Sequence, residues 1–131
     1  METNDYQIGG NHYVKEYQHW DFVCDTGMHY LLGCFTKYIT RWRKKNGLED
    51  ITKSLHYLAK AEDKDIKFPI TESYLVDRYI RDMEPEEAGV IVSLCLNDFE
   101  DVRNRVAHLI AEEQERLDQE GEATSDYVNQ D

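Results

Sequence analysis

The residues best equipped for chemistry sit in one short stretch. Lys37, Arg41 and Lys44 or Lys45 follow one another at steps of four and three or four, which places them on one face of a helix. Lys53, His56 and Lys60 repeat that pattern a few residues later. Asn46-Gly47 lies between the two runs. Both residue types tolerate the left-handed conformation of a tight turn, so the two cationic faces are expected to meet around an elbow. Guanidinium and ammonium groups donate charge-assisted hydrogen bonds to phosphate oxygens. Tyr38, Trp42 and Tyr57, interleaved with them, offer faces on which a base can stack. The combination points to a phosphate-bearing small molecule. The same side chains have plainer uses: basic residues late in a helix complement its dipole, and aromatic residues at helical spacing commonly enter a core.

The charge distribution sharpens this reading. The chain has 131 residues and a net charge of −12, yet residues 1–62 balance eight bases against eight acids. The whole excess lies in residues 63–131, with 7 bases and 19 acids. Residues 37–60 carry seven bases and two acids, a basic island in an acidic protein. Such an island suits a small anion, whereas the overall field repels a long duplex, so duplex nucleic acid is not an expected partner. The longest nearly apolar run, residues 88–96, is far short of the roughly 20 residues that span a bilayer, so no membrane partner is expected. Met1-Glu2-Thr3-Asn4-Asp5 lacks the features of a secretory signal, and the three cysteines are expected as reduced thiols in a cytoplasm.

Helices must position these residues. With only 7 Gly and 2 Pro and no alternating strand pattern, the expected class is all-α: a helical hairpin core, further C-terminal helices and an irregular N-terminal segment. Residues 1–25 read as irregular, with an aromatic cluster at Tyr13, Tyr17, Trp20 and Phe22. Asp25 or Thr26 is expected to cap a first helix over 27–45, with Leu31, Phe35, Tyr38 and Trp42 as its stripe. A second helix is expected from Glu49-Asp50 to about Asp63, burying Ile51, Leu55 and Leu58. Thr71 is expected to cap a third over 72–82, and Pro85 to open a fourth over 85–96. Asn97 and Glu100 suggest a capping box for a fifth, which runs to about Gln119 along Phe99, Val102, Val106, Leu109, Ile110 and Leu117. This divides the chain into a basic part over 1–63, an acidic helical extension over 64–119 that packs on it, and a polar tail over 120–131 expected to be disordered.

The stretch Lys37-Tyr38-Ile39-Thr40-Arg41, then Lys44-Lys45-Asn46-Gly47-Leu48-Glu49-Asp50-Ile51-Thr52-Lys53 and His56-Tyr57-Leu58, resembles a family of small phage proteins. His12-Tyr13 and Asp21-Phe22 upstream fit the same pattern. The family was long catalogued as of unknown function and includes a nucleotide kinase acting on dTMP and dGMP. The resemblance covers about residues 11–60. Two positions depart from it: Gly33-Cys34 stands where the family usually has Gly-Asn, and Ser54 where it has Ala. The resemblance implies a nucleotide site made by the hairpin and the His-Tyr segment, in the cytoplasm of an infected bacterial host. Lys37, Arg41 and Lys45 would bind phosphates, with Lys44, Asn46, His56, Tyr38 and Tyr57 beside them. Lys53 would neutralise the transferring group, with Arg41 also stabilising it. Asp50 would hold Mg²⁺ or orient the acceptor, and a nucleoside triphosphate would be the donor. His12 would touch phosphate or base, and Tyr13 would stack. The plainer role for Asp50 is helix capping, and for His12 a structural hydrogen bond. No G-x-x-x-x-G-K-[ST] loop is present, so the site is expected to be assembled from several subunits of a homo-oligomer.

Other side-chain groups in the sequence suggest different chemistry. Glu84 with Glu87 and Asp98 with Asp101 have the one-turn spacing of Mg²⁺-binding carboxylate pairs in all-α nucleotide pyrophosphohydrolases, but all lie near expected helix starts, where acids are ordinary. Cys24, His29 and Cys34 are poorly spaced for zinc, since a step of five turns two side chains roughly 140° apart on a helix. Two non-enzymatic readings stand beside the kinase: an oligomer that sequesters nucleotides without turnover, and a protein whose acidic half mimics nucleic acid.

Overall fold

The computed structural model describes residues 16–128, with side chains described as far as Gly121. Those residues form six α-helices and no strand: α1 His19–Thr26, α2 Tyr30–Arg41, α3 Leu48–Asp63, α4 Ser73–Ile80, α5 Pro85–Cys95 and α6 Phe99–Val128. The class is all-α, as the sequence pattern indicates. One 3-10 turn, Trp42–Lys44, follows α2.

α2 and α3 pack most extensively and form the hairpin. Arg41 meets Asp50 and Tyr38 meets Tyr57, pairings that converge on the turn and so fix an antiparallel arrangement. α3 and α5 both pack on α6, while α1 packs on α4. The core is continuous across all six helices: Phe22, Leu32, Phe35, Ile39, Ile51, Leu58, Val90, Ile91, Leu94, Val102 and Val106 are fully buried.

Several boundaries differ from the sequence expectation, each for a local reason. Part of the segment read as irregular is α1, which is held at its start by Asp21 accepting from the Gln18 N–H at 2.8 Å. It stops at Gly27, whose φ of 68° ends a helix at little cost. α2 is capped by neither Asp25 nor Thr26. The Thr26 hydroxyl donates to the Phe22 carbonyl and Asp25 accepts from the Tyr17 hydroxyl, so both are engaged on α1. The cap is His29, whose Nδ1 accepts from the Leu31 N–H at 3.1 Å. The buried stripe of α2 is Leu32, Phe35, Thr36 and Ile39, with Trp42 beyond it. Leu31 and Tyr38 are only half-buried, so the stripe is rotated by one residue at Leu31 and at Tyr38.

α4 begins after Glu72, not after Thr71, whose hydroxyl donates instead to the Pro69 carbonyl. Pro85 does occupy the first turn of α5. Asn97 is not a cap for α6. It adopts a φ of 57°, and its amide brackets Phe68, accepting from the Phe68 N–H at 2.7 Å and donating to the Phe68 carbonyl at 3.0 Å. Asp98 takes the capping role through the Asp101 N–H. α6 continues as helix to Val128, past the point where composition turns small and polar, and Leu117 lies on its exposed side.

Candidate functional site

The elbow of the hairpin is filled from within. Asp50 is the third residue of α3 and fully buried. Its Oδ2 accepts from Arg41 Nε and from the Asn46 N–H, each at 3.2 Å. Its Oδ1 accepts from Arg41 Nη2 at 3.3 Å and from Asn46 Nδ2 at 3.5 Å. Burial would push this carboxyl up, but Arg41 and Asn46 outweigh it and hold it below the usual carboxylate range. The Asp50 oxygens are thus committed to the turn, and a metal ion there would have to displace Arg41. Arg43, the next base, is turned to α5: its Nε donates to Glu87 Oε1 at 2.9 Å, and the same oxygen accepts from Trp42 Nε1 at 2.7 Å. Lys44, Lys45, His56 and Lys60 are exposed, and none of them lines the groove described below. The elbow therefore does not offer the open basic cleft that helical spacing suggests.

An open groove lies higher on the hairpin, on the side facing α1. It encloses about 390 Å³ and is lined by His19, Trp20, Val23 and Cys24 of α1, by Tyr30, Gly33, Cys34, Lys37 and Tyr38 of α2, and by Tyr57 of α3. Tyr38 and Tyr57 form its end wall as a stacked pair, with ring centroids 5.6 Å apart and planes within 9°. Three cations ring Tyr38: Arg41 Cζ lies 4.5 Å from its centroid, Lys53 Nζ 5.6 Å and Lys37 Nζ 5.8 Å. Lys53 also reaches Glu49 at 3.2 Å, an exposed pair one turn apart that contributes little and exchanges readily. No carboxylate lines the groove among the described residues. Trp20 and Tyr30 are unusually open to solvent for aromatic residues, at 47% and 72% exposure.

His19 supplies a polar feature of the groove. Its Nε2 lies 2.7 Å from the Thr36 hydroxyl. Burial, reinforced by the Lys37 cation, brings its pKa down to about 4, so the ring is neutral at ordinary pH. Cys34 sits between Tyr30 and Tyr57, close enough to raise both phenols.

The structure thus brings together Lys37, Tyr38, Arg41, Lys53 and Tyr57 from the residues singled out by sequence. It places Asn46 and Asp50 beneath them as supports. His12 and Tyr13 lie outside the described residues. The groove adds His19, Trp20, Tyr30 and Cys34. The α2 contribution was visible as a stripe, since Tyr30, Cys34, Lys37, Tyr38 and Arg41 recur at steps of four, three, one and three. The α1 contribution needed the packing of α1 against α2. The carboxylates of the alternative Mg²⁺ arrangement are scattered among other tasks. Glu87 holds Trp42 and Arg43, Asp98 caps α6, and Asp101 accepts from Ser93 and Arg105. No group of three or more His, Cys, Asp or Glu side chains suited to a metal ion occurs among the described residues.

The site that emerges is an aromatic groove with a cationic rim, carried by a helical hairpin. Residues 6–59 match the model of DUF3310, a family described as of unknown function. Every residue lining the groove lies inside that matched stretch, while α4, α5 and α6 lie outside it. No curated protein and no solved structure matches the chain. No helix among the described residues is long and apolar enough to cross a membrane.

Proposed function

We propose that this protein binds nucleotides in the groove between α1, α2 and α3, and that it transfers phosphoryl groups between them as a nucleoside monophosphate kinase of phage origin. The observation that carries the reading is the stacked Tyr38–Tyr57 pair lining an aromatic groove, with Lys37 in the same lining and Arg41 and Lys53 over the Tyr38 ring. A base and a phosphate group are joined in a nucleotide, and this groove offers a partner for each. Stacking on an aromatic side chain contributes about 1–3 kcal/mol per base, and charge-assisted hydrogen bonds orient the phosphate. Phosphoryl transfer requires alignment and charge neutralisation more than covalent help from the protein. In the step itself an oxygen of the acceptor monophosphate bonds to the γ-phosphorus of a donor triphosphate, and the donor diphosphate leaves. Lys37 and Arg41 hold the acceptor phosphate, and Lys53 neutralises charge on the group in transfer. Mg²⁺ would arrive with the donor, which a further subunit of an oligomer would help to hold.

The test is incubation of the purified protein with a nucleoside triphosphate, Mg²⁺ and each monophosphate in turn. Diphosphate formation that falls at least tenfold in Lys37→Ala supports the kinase, because Lys37 is exposed and its loss leaves the fold intact. Failure of every nucleotide to bind in calorimetry sinks the reading. A second reading, sequestration without turnover, is favoured by the engagement of Asp50 with Arg41 and Asn46, which commits that carboxylate to the turn and away from the groove. Stoichiometric binding with no diphosphate produced would decide for it.

A further inference from the structure

Asp50 is an expensive way to build a turn. A fully buried carboxylate loses its hydration, a cost that its partners must offset. What it does here beyond capping is hold Arg41 by one edge. Nε and Nη2 both face Asp50, at 3.2 and 3.3 Å, so the fork is engaged side-on and Nη1 is left pointing away from it. The guanidinium is also stacked over Tyr38, with Cζ 4.5 Å from the ring centroid. Pinned on one edge and covered on one face, it has little freedom to swing, yet the side chain remains 31% exposed. Lys37 and Lys53, by contrast, reach the same ring with flexible ammonium groups at 5.8 and 5.6 Å.

We infer that Asp50 is a positioning residue that fixes Arg41 so its Nη1 edge is preset for one phosphate oxygen at the rim of the groove, an inference that rests on the nucleotide reading above. A preset donor contributes more to affinity than a mobile one, because its ordering cost is met in folding and not in binding. Lys37 and Lys53 then close on the remaining oxygens.

The experiment compares dTMP with thymidine, followed by NMR titration so that weak binding is still measured. Wild type is expected to prefer dTMP. In Asp50→Asn, which keeps one acceptor but loses the charge and the second oxygen, dTMP affinity is expected to fall about tenfold with thymidine affinity unchanged. Arg41→Lys keeps the charge and loses the fork, and the same selective loss is expected. If Asp50→Asn does not fold, Arg41→Lys decides alone. Equal weakening of both ligands, which a purely structural elbow would produce, overturns the inference. So does retention of the full dTMP preference in the variants, and in that case the groove reading stands. A wild type that binds neither ligand brings down the groove reading itself, and this inference with it.

Discussion

At the scale of single residues, this protein commits some cations to its own carboxylates and leaves others open to solvent. Arg43 is used up on Glu87, and Arg41 is shared between Asp50 and the Tyr38 ring. Lys37 stands at the surface beside His19, whose burial, reinforced by that cation, keeps the ring neutral, and this has a measurable consequence. His19 has a folded pKa of about 4 against an ordinary value of 6.5. Between those values the unfolded chain binds a proton that the folded one refuses. The stability tied to the neutral ring is therefore fully present above pH 6.5 and drains away as pH falls towards 4. At 1.36 kcal/mol for each pH unit, the loss is on the order of 3 kcal/mol. Urea midpoints measured from pH 7 to 4 should fall more steeply for wild type than for His19→Gln, and parallel curves would contradict this. Asp50 has the same sense in a lower window: its folded pKa is also depressed, so its contribution is lost on acidification below the ordinary carboxylate value of 3.8.

At the scale of elements, the turn between α2 and α3 decides whether the groove exists. Gly47 caps α3 with φ 55° and ψ −128°, a conformation that side chains with a Cβ resist. Its N–H donates to the Trp42 carbonyl at 2.9 Å, and its carbonyl accepts from Asp50 at 3.0 Å. No neighbouring atom would clash with an added methyl group, so any cost of Gly47→Ala is backbone strain. That cost should be roughly 1–3 kcal/mol, read as a lower denaturation midpoint, and a neutral result would show that the turn relaxes elsewhere. Spacing alone placed the turn correctly at Asn46-Gly47. It overestimated α2, because the last residues before the turn tighten into a 3-10 segment that carries Trp42 and Arg43 round to Glu87.

At the scale of the whole molecule, the groove-bearing stretch does not stand alone. Residues 6–59 carry the family match, yet Ile51, Leu58 and Trp42 are buried in a core shared with α5 and α6. Tyr79 of α4 stacks on Phe22 of α1 at 4.1 Å between centroids, so even the groove wall is braced from outside the match. A fragment ending at Asp63 would expose that core, and too little apolar surface would remain buried to offset chain entropy. Its thermal unfolding should lack a cooperative transition, while a chain ending at Glu120 should keep one. A cooperative fragment would show that the acidic helices are dispensable to the fold.

The sequence by itself determined the helical class, the position of the hairpin turn, the core faces of α3 and α5, and the co-location of Lys37, Tyr38, Arg41, Lys53 and Tyr57. These follow from local periodicity and turn chemistry, which neighbouring residues carry among themselves. Only the tertiary structure decided that Asp50 faces inward to clamp Arg41, that Asn97 braces Phe68 and does not cap α6, and that α1 closes one side of the groove. Those outcomes depend on which polar group finds a partner once water is excluded, and such partners can be distant in the chain, as the separation of 29 positions from Phe68 to Asn97 illustrates. A buried carboxylate and an exposed one are written with the same letter. What separates them is the packing that removes one from solvent and supplies its donors.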